Sequence, residues 1–150
     1  MKVKIKKLCE SAVIPQYAHV TDAGLDLVAT SKLCDEYDNV VYGTGITVEI
    51  PEGYVGLLFP RSSNCKKNVW LTNAVGVIDS GYRGEITFKY RPTYQAKINE
   101  GMRNGIVNEY EIGDRIGQLI IMPYPQIEFE EADELSETER GVGGYGSTGK

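Results

Sequence analysis

One acidic residue stands where an apolar run meets a tight turn. Residues 76–85 read GVIDSGYRGE, so that Asp79 follows Val-Ile and precedes a Ser-Gly pair typical of turns. This order predicts a β-hairpin with its tip at Ser80–Gly81 and Tyr82 on its return arm. A hairpin backbone can hold a flat ligand while the carboxylate of Asp79 acts as a general base on water. An ordinary hairpin with a turn-forming aspartate is the alternative.

A second polar group follows the apolar run that ends at Phe59. The guanidinium of Arg61 is a planar donor that matches phosphate oxygens, and Ser62 and Ser63 add hydroxyl and backbone donors. The alternative is a polar loop that opens a short helix with a serine cap.

Two polar side chains interrupt other apolar runs. Asp26 lies inside a strand pattern, where an acid is costly unless it is paired. We interpret it as a partner for an Arg or Gln near the site, with a solvated, outward-facing aspartate as the alternative. Gln118 is a neutral amide that can donate to a phosphate, hold a water, or bond to backbone. Asp114 and Arg115 have the pattern of a surface ion pair of little energetic value.

The C-terminal residues 140–150 read RGVGGYGSTGK, with five glycines in the ten residues 141–150. Such a segment cannot pack a core, and a frayed terminus is one interpretation. The combination of Arg, an aromatic residue and Gly-Ser-Thr-Gly favours a flap that orders on a phosphate ligand, with Tyr145 over a base. The residues that would clamp the terminal phosphates are Arg140, Gly146, Ser147 and Thr148.

Short strand patterns separated by turn signals must position these groups, and they predict an all-β sandwich, barrel or jelly roll. The predicted strands are Val3–Leu8, Gly24–Ala29, Asn39–Thr44, Ile46–Ile50, Tyr54–Phe59, Glu85–Tyr90 and Ile116–Pro123. One short helix is predicted near Asn64–Lys67. Residues 91–112 have the composition of a hairpin with an extended tip.

Length and charge indicate one domain and a small anionic ligand. The chain has 150 residues, which favours a single domain made of a β-barrel over 1–127 and an acidic strap with a glycine-rich lid over 128–150. The net charge is −5, yet residues 128–139 hold seven acids, so the remainder carries 16 − 14 = +2. A mildly basic body with an acidic strap fits a small anion better than a nucleic-acid backbone.

The cysteines, the apolar runs and the sole histidine indicate the compartment of the protein and the type of its general base. Three scattered cysteines without metal spacing and no signal-peptide pattern predict a reduced, cytosolic-type compartment. No apolar run approaches the roughly 20 residues that span a bilayer. His19 is the sole histidine and is expected at the surface or in packing, so a carboxylate is the expected general base.

Taken together, these segments resemble the five motifs of the trimeric dUTP pyrophosphatases (dUTPases), in the same order and spacing. The resemblance runs from about Asp22 to Gly149. The segments that carry it are DAGLDL at 22–27, PRSSN at 60–64, GVIDSGYRGE at 76–85, GDRIGQL at 113–119 and RGVGGYGSTG at 140–149.

The resemblance implies a homotrimer of jelly-roll-like, distorted β-barrel subunits with a C-terminal glycine-rich flap and sites built from three chains. It implies hydrolysis of dUTP to dUMP and pyrophosphate with Mg²⁺ held mainly through substrate phosphates and water, without a protein ligand set. Such an activity limits uracil incorporation into DNA and supplies dUMP for thymidylate synthesis. The implied location is cytoplasmic or, for a virus-encoded enzyme, the host cytoplasm or nucleus. Neither direct nucleic-acid binding nor a membrane is implied.

The resemblance also implies a role for each matching residue. Asp79 would activate the water that attacks the α-phosphorus, and Asp26 would support the site. The residues expected on the phosphates are Arg61, Ser62, Ser63 and Gln118. The residues expected around deoxyuridine are Asn73, Gly76, Val77, Ile78 and Tyr82. The residues expected in the lid are Arg140, Tyr145, Gly146, Ser147 and Thr148.

The sequence departs from the commonest pattern at Ser63, where Gly is usual, and at Tyr145, where Phe is more frequent. Two other functions stay open at this point. One is a related dCTP deaminase or bifunctional deaminase–pyrophosphatase, although no Cys-x-x-Cys zinc signature is present. The other is a non-catalytic β trimer that binds dUTP or another protein.

Overall fold

The computed structural model describes residues 1–93 and 108–144. Their secondary structure is almost entirely β, with one short 3-10 helix at Ser62–Lys66. The strands are β1 (Lys4–Lys7), β2 (Leu25–Val28), β3 (Ser31–Cys34), β4 (Val40–Gly43), β5 (Ile46–Glu49), β6 (Tyr54–Phe59), β7 (Val69–Leu71), β8 (Gly76–Ile78), β9 (Thr87–Pro92) and β10 (Arg115–Pro123).

The strands form two four-stranded antiparallel sheets that enclose one core. The first sheet has the order β2-β10-β6-β8 and the second has the order β3-β4-β9-β7, while β1 pairs with β5 alone. Alternation along each strand sends apolar side chains inward, for example Leu58 and Leu119 from the first sheet and Phe88 and Tyr90 from the second. This is the jelly-roll-like, all-β class that the sequence predicts.

A cluster of tyrosines ties β10 to the second sheet. The Tyr90 hydroxyl donates to the carbonyl oxygen of Ile116 at 2.6 Å, and the Tyr42 hydroxyl donates to that of Tyr110 at 2.9 Å. Burial raises the pKa of both donors, so they remain neutral. Gly117 leaves room for the Phe88 ring, which a Cβ atom there would overlap. These contacts fix the beginning of β10, where the polar residues of interest lie.

The predicted hairpin over residues 76–85 is wrong in its pairing. β8 pairs with β6 rather than with the return arm, and residues 79–86 form no strand. The turn itself is present, because the Tyr82 amide donates to the carbonyl oxygen of Asp79 at 3.0 Å. Beyond the turn, the amide of the fully buried Ile86 donates to the carbonyl oxygen of Ile46 at 2.9 Å. The two arms diverge because each buries its apolar residues against a different sheet.

After β10 the chain continues as an exposed arm over residues 124–144. It has no strand or helix, and Ile127, Phe129 and Leu135 on it are 69%, 90% and 88% exposed. The predicted hairpin over 91–112 lies largely outside the described residues. Within residues 1–93 and 108–144, no helix has the length and apolar character needed to cross a membrane.

Candidate active site

Asp26 and Gln118 face each other across β2 and β10, and Gln118 also faces Phe59 at the end of β6. Arg61 follows β6, and its Nε donates to Asp26 Oδ1 at 2.8 Å. The Gln118 side-chain amide donates to the carbonyl oxygen of Pro60 at 3.1 Å. Adjacent strands therefore bring three of the predicted site residues to one place.

Arg115 does not pair with Asp114, so the alternative of a local surface ion pair does not hold. Its Nη1 instead lies 3.2 Å from Asp26 Oδ2, so the two oxygens of Asp26 are engaged by two different guanidinium groups. Asp114 accepts a hydrogen bond from the Glu111 amide at 2.9 Å and lies 3.9 Å from Lys67 Nζ. The sequence missed Arg115 because an Asp-Arg neighbour pair gives no indication of a partner on another strand.

These residues line an open cleft of about 510 Å³ that we call the guanidinium cleft. It is lined in part by His19, Gly24, Asp26, Arg61, Ser62, Arg115 and Gln118. Gly24 leaves room for the Gln118 side chain in its present position, because a Cβ atom there would overlap the Gln118 side-chain oxygen. The cleft offers fixed, planar cationic donors together with an exposed serine, which is chemistry suited to a polyvalent anion.

The serines adopt a different arrangement from a capped helix. The 3-10 helix begins at Ser62, and its N-cap residue Arg61 makes no side-chain capping hydrogen bond. Arg61 Nη1 instead lies 3.4 Å from Ser63 Oγ, at the outer limit of a hydrogen bond. The hydroxyl of Ser62 is therefore not committed to a helix cap.

His19 lies at the rim of the guanidinium cleft and is exposed, as the sequence predicts. Its backbone amide donates to Asp22 Oδ2 at 2.9 Å, and its Nδ1 lies 3.2 Å from the same oxygen. The motif spacing gives no signal for this contact, because it depends on a local turn before β2.

The exposed carboxylate of Asp79 lies in a turn with many internal hydrogen bonds. The Tyr82 hydroxyl donates to the carbonyl oxygen of Glu85 at 3.0 Å. Arg83 Nη1 donates to the carbonyl oxygens of Ser80 at 2.6 Å and of Tyr82 at 2.8 Å. This segment, which we call the Asp79 turn, presents a carboxylate and an aromatic ring from a fixed backbone.

The other residues predicted around deoxyuridine lie just before the Asp79 turn. Asn73 is exposed, and a Cβ atom on Gly76 would stand 3.3 Å from the Asn73 amide nitrogen and 3.0 Å from the Leu58 Cβ. Gly76 therefore allows close backbone approach between β8 and β6. Val77 points outward and is 60% exposed, whereas Ile78 packs against the core. Ile78 thus offers a ligand its backbone rather than its side chain.

Within one chain the guanidinium cleft and the Asp79 turn lie apart. Ile78 faces Gly56, whereas Gln118 faces Phe59, three residues further along β6 and on its other side. Strand geometry therefore separates the backbones of Ile78 and Gln118 by about 10 Å along the strand and by about 10 Å across two strand spacings. The resulting distance between them is about 14 Å. The chain then leaves β8 and β6 in opposite directions, which increases the separation between Asp79 and Arg61.

The predicted lid is only partly described. The Arg140 Nε donates to the carbonyl oxygen of Gly143 at 2.9 Å, in a turn exposed to solvent. The predicted lid residues Tyr145, Gly146, Ser147 and Thr148 lie outside the described residues.

The described residues offer no obvious cluster of side chains for a metal ion. Over residues 1–93 and 108–144, no group of three or more His, Cys, Asp or Glu side chains is placed to hold a metal ion. Asp26 already binds two guanidinium groups.

Comparison with known proteins identifies the relatives of the chain. The family model described as dUTPase matches residues 10–149. The deoxyuridine 5'-triphosphate nucleotidohydrolase of Clostridium tetani is 43% identical over 150 residues, covering 99% of this chain and 97% of that protein. The protein of the same name from Crocosphaera subtropica is 40% identical over 151 residues, covering 99% of both.

Solved structures give the same result. The dUTPase of Staphylococcus bacteriophage 80alpha with dUPNHPP superposes with a TM-score of 0.80 at 30% identity and 99% coverage of both chains. A mutant dUTPase from phage phi11 of S. aureus, whose structure reveals how a structural Mg(II) ion is coordinated, gives a TM-score of 0.69 at 28% identity, covering 89% of this chain and 98% of that one.

Proposed function

The chain belongs to the dUTPase family, and we propose that it hydrolyses dUTP to dUMP and pyrophosphate through a water molecule that Asp79 activates. The observation that carries this mechanism is the exposed carboxylate of Asp79, the first residue of an internally bonded turn. Asp79 would orient the water and accept its proton as the oxygen attacks the α-phosphorus. The hydrogen bonds of Arg83 and Tyr82 hold the turn in place and limit reorganisation during the reaction.

Base and sugar selection would occur at the same turn. Backbone groups of residues 76–78 would recognise the uracil edge, because β8 lies at the edge of the first sheet and pairs there with β6 on one side only. Cytosine would leave these groups mispaired and so would be rejected. The ring of Tyr82 would pack under the deoxyribose and leave no room for a 2′-hydroxyl.

The guanidinium cleft would hold the phosphates. Arg61 supplies a planar donor that Asp26 orients, and Ser62 and Gln118 line the same cleft. Mg²⁺, when bound, would neutralise phosphate charge while being held mainly by phosphate oxygens and water. The lid from Arg140 through Thr148 would close over the nucleotide and exclude bulk water.

A homotrimer would bring the two parts of the site together. The outer face of the first sheet carries an apolar band of Val55, Leu57, Val77, Ile120 and Met122, with Val77 60% and Met122 45% exposed. Such a band is typical of a subunit interface. The arm at 124–144 also exposes apolar residues that a neighbouring subunit could cover. In this arrangement the Asp79 turn of one subunit faces the guanidinium cleft of another.

The same proposal gives the enzyme its place in the cell. Hydrolysis of dUTP would limit uracil incorporation into DNA, and the dUMP released would serve thymidylate synthesis. The protein would act in the cytoplasm or, if a virus encodes it, in the host cytoplasm or nucleus, without direct binding to nucleic acid or membrane.

The test is a product assay with a matched pair of variants. Wild-type protein with Mg²⁺ and a panel of dNTPs should convert dUTP to dUMP and pyrophosphate and leave dCTP unchanged, whereas dUTP formed from dCTP would indicate a deaminase. Asp79→Asn should still bind dUTP but lose activity by a factor of about 100 or more. Asp38→Asn removes a carboxylate from an exposed turn at positive φ, which Asn tolerates, and serves as the control. Near-normal turnover by Asp79→Asn would refute the base assignment.

A further inference from the structure

The chain that leaves the Asp79 turn is bound to the turn between β4 and β5 and to the beginning of β5. We call this part of the chain, residues 83–86, the return segment. The Thr47 hydroxyl donates to the carbonyl oxygen of Arg83 at 2.9 Å, and the buried Thr44 hydroxyl donates to that of Ile86 at 2.7 Å. The position of the return segment is therefore set by β4 and β5 and not by the first sheet, to which β8 belongs.

The side chain of Glu85 adds a charged hydrogen bond to this attachment. Glu85 is partly buried, and its Oε1 accepts from the Gly45 amide at 2.7 Å. A Cβ atom on Gly43 would stand only 2.6 Å from the same oxygen, so β4 leaves space for the carboxylate. A hydrogen bond to an ionised acceptor is stronger than one between neutral groups. This bond is therefore a strong tie between the return segment and the second sheet.

The donor of this bond is held rigidly. Gly45 has a φ of +66°, and a Cβ atom on it would overlap the Cys9 sulfur and the Ala12 methyl group. Its carbonyl oxygen accepts from the Leu8 amide at 2.7 Å. The direction of the Gly45 N–H is thus fixed by the surrounding chain, and Glu85 binds to a donor that does not move.

The backbone of Glu85 connects the same attachment to the ring of Tyr82. The C=O and N–H groups of a trans peptide point in opposite directions. In the peptide between Glu85 and Ile86, the N–H donates to the carbonyl oxygen of the fully buried Ile46 at 2.9 Å. The C=O of the same peptide accepts from the Tyr82 hydroxyl at 3.0 Å. Glu85 is therefore bonded to Gly45 through its side chain and to Tyr82 through its backbone.

We propose that Glu85 is a positioning residue for sugar selection, which keeps the Tyr82 ring in place by binding its carboxylate to the Gly45 amide. The proposal rests on the proposed function, in that Tyr82 must pack under the deoxyribose. The Gly45 amide engages the carboxylate, so Glu85 acts through Tyr82 and not by touching the nucleotide. Without this bond the return segment moves more freely, and the ring makes room for a 2′-hydroxyl.

Glu85 could instead contribute only to the stability of the fold. A loss of stability lowers activity with dUTP and with UTP by the same factor, whereas a displaced ring changes the ratio of the two activities. A double-mutant cycle gives a second distinction. Tyr82→Phe keeps the ring but removes the hydroxyl that binds the Glu85 carbonyl oxygen. If Glu85 acts through that hydroxyl, Glu85→Ala has almost no further effect on the ratio in the Tyr82→Phe background.

The experiment measures kcat/KM for dUTP and for UTP, each with Mg²⁺, and compares their ratio among variants. Glu85→Ala should lower the ratio about 10-fold, the lower end of the value of a charged hydrogen bond, and Tyr82→Phe should lower it similarly. Glu85→Gln keeps an oxygen acceptor for the Gly45 amide and should stay within about threefold of wild type. Glu52→Ala is the control, because Glu52 is an exposed glutamate in the turn before β6, and its ratio should not change.

The proposal is overturned if Glu85→Ala or Tyr82→Phe keeps the wild-type ratio, or if Glu85→Gln is no better than Glu85→Ala. It is also overturned if Glu52→Ala lowers the ratio as much, or if Glu85→Ala has its full effect in the Tyr82→Phe background. Circular dichroism and oligomeric state establish that each variant folds. If Glu85→Ala does not fold, Glu85→Asp keeps the charge but withdraws the oxygen by one methylene, and an unchanged ratio then refutes the proposal.

A further variant separates this proposal from the proposed function. Tyr82→Ala removes the ring itself and should lower the ratio at least as much as Glu85→Ala. If Tyr82→Ala keeps the wild-type ratio, sugar selection by Tyr82 is refuted, and the role of Glu85 is refuted with it. If Tyr82→Ala lowers the ratio and Glu85→Ala does not, only the role of Glu85 is refuted.

Discussion

Gly84 lies directly beneath the ring of Tyr82, so that a Cβ atom on Gly84 would overlap the Tyr82 hydroxyl group and the adjacent ring carbon. The backbone there does not have a positive φ, so the requirement for glycine is one of space. The position of the ring over the Asp79 turn therefore depends on a missing side chain two residues away.

We expect Gly84→Ala to displace the Tyr82 ring and weaken discrimination between dUTP and UTP. If the ring packs under the deoxyribose, moving it by the width of a methyl group should lower kcat/KM for dUTP about 10-fold and affect UTP less. Kinetics with both nucleotides measure the ratio. Gly81→Ala is the matched control, since a Cβ atom there meets nothing within 4 Å. Equal effects of the two variants would contradict the packing role of Tyr82.

The separation of the guanidinium cleft from the Asp79 turn predicts complementation between inactive variants. Asp79→Asn and Arg61→Gln subunits, mixed equally by denaturation and refolding, should regain about a quarter of wild-type activity. This follows because a site that spans two subunits is intact when the first supplies Asp79 and the second supplies Arg61. Activity assays before and after mixing provide the measurement.

The control for complementation is simple mixing of the two folded variants without subunit exchange, which should restore nothing at short times. If mass spectrometry shows that mixed oligomers have formed and the mixture stays inactive, both residues act from the same chain. The proposed arrangement across subunits would then be wrong.

Tyr90→Phe should destabilise the protein by about 1–3 kcal/mol. It removes the donor to the Ile116 carbonyl oxygen, which then stays buried without a partner. Denaturant unfolding measures the change in the free energy of unfolding. Tyr37→Phe is the control, because Tyr37 is 65% exposed and the same change there should cost little. A loss at Tyr90 no larger than at Tyr37 would show that the buried hydrogen bond to the Ile116 carbonyl oxygen adds nothing to stability.

Asp35 should make stability depend on pH at the acidic end. Its Oδ2 accepts from the Asn39 side chain at 3.0 Å, its Oδ1 accepts from the Asn39 amide at 2.9 Å, and Lys89 Nζ lies 3.2 Å away. The side-chain hydrogen bond from Asn39, with the backbone bond and Lys89, holds the pKa of Asp35 well below its usual value. The folded state therefore favours the ionised carboxylate.

A lowered folded-state pKa stabilises the protein above the unfolded value, which is about 3.9, and this stabilisation fades as the pH falls through the folded value. Asp35→Asn should therefore be less stable than wild type at pH 7, and the difference should shrink below about pH 4. Thermal unfolding from pH 7 to pH 2 measures it. If the difference in stability between wild type and Asp35→Asn stays constant from pH 7 to pH 2, the effect of Asp35 does not come from its ionised carboxylate.

Most strands were predictable from apolar or alternating runs between turn signals, and two strands without such a pattern were not. β6 was predicted with its observed bounds, and β2 and β10 were predicted within one residue at each end. β3 was missed because its sequence SKLC does not alternate, and β7 was missed because its three apolar residues VWL show no period. The pairing of β8 with β6 was missed because a turn signal says where the chain reverses but not which strand it joins.

The site was predictable as residue types but not as geometry. Arg61, Gln118 and Asp26 stand out because each is a polar residue beside or within an apolar run. Their contacts depend on strands distant in sequence, and the separation of Asp79 from them depends on the order of the strands in the sheet. The contact of Arg115 with Asp26 was hidden by a β-bulge in β10, where Arg115 faces Val28 and Gly117 faces Leu27, so that Ile116 is an extra residue. Strict alternation would place Arg115 on the face opposite to Gln118.

The bulge at Ile116 also limits how β10 can be engineered. The alternation of side chains between the two faces of β10 shifts by one residue at Ile116. A simple alternating pattern therefore does not predict which side chains of this strand face the core. Deleting Ile116 would give a regular strand and leave Arg115 outside, opposite Val28, but it would remove a fully buried side chain and the carbonyl oxygen that accepts from the Tyr90 hydroxyl. A design that made the strand regular while keeping Ile116 would instead turn Arg115 into the interior and bury a cation without a counter-charge.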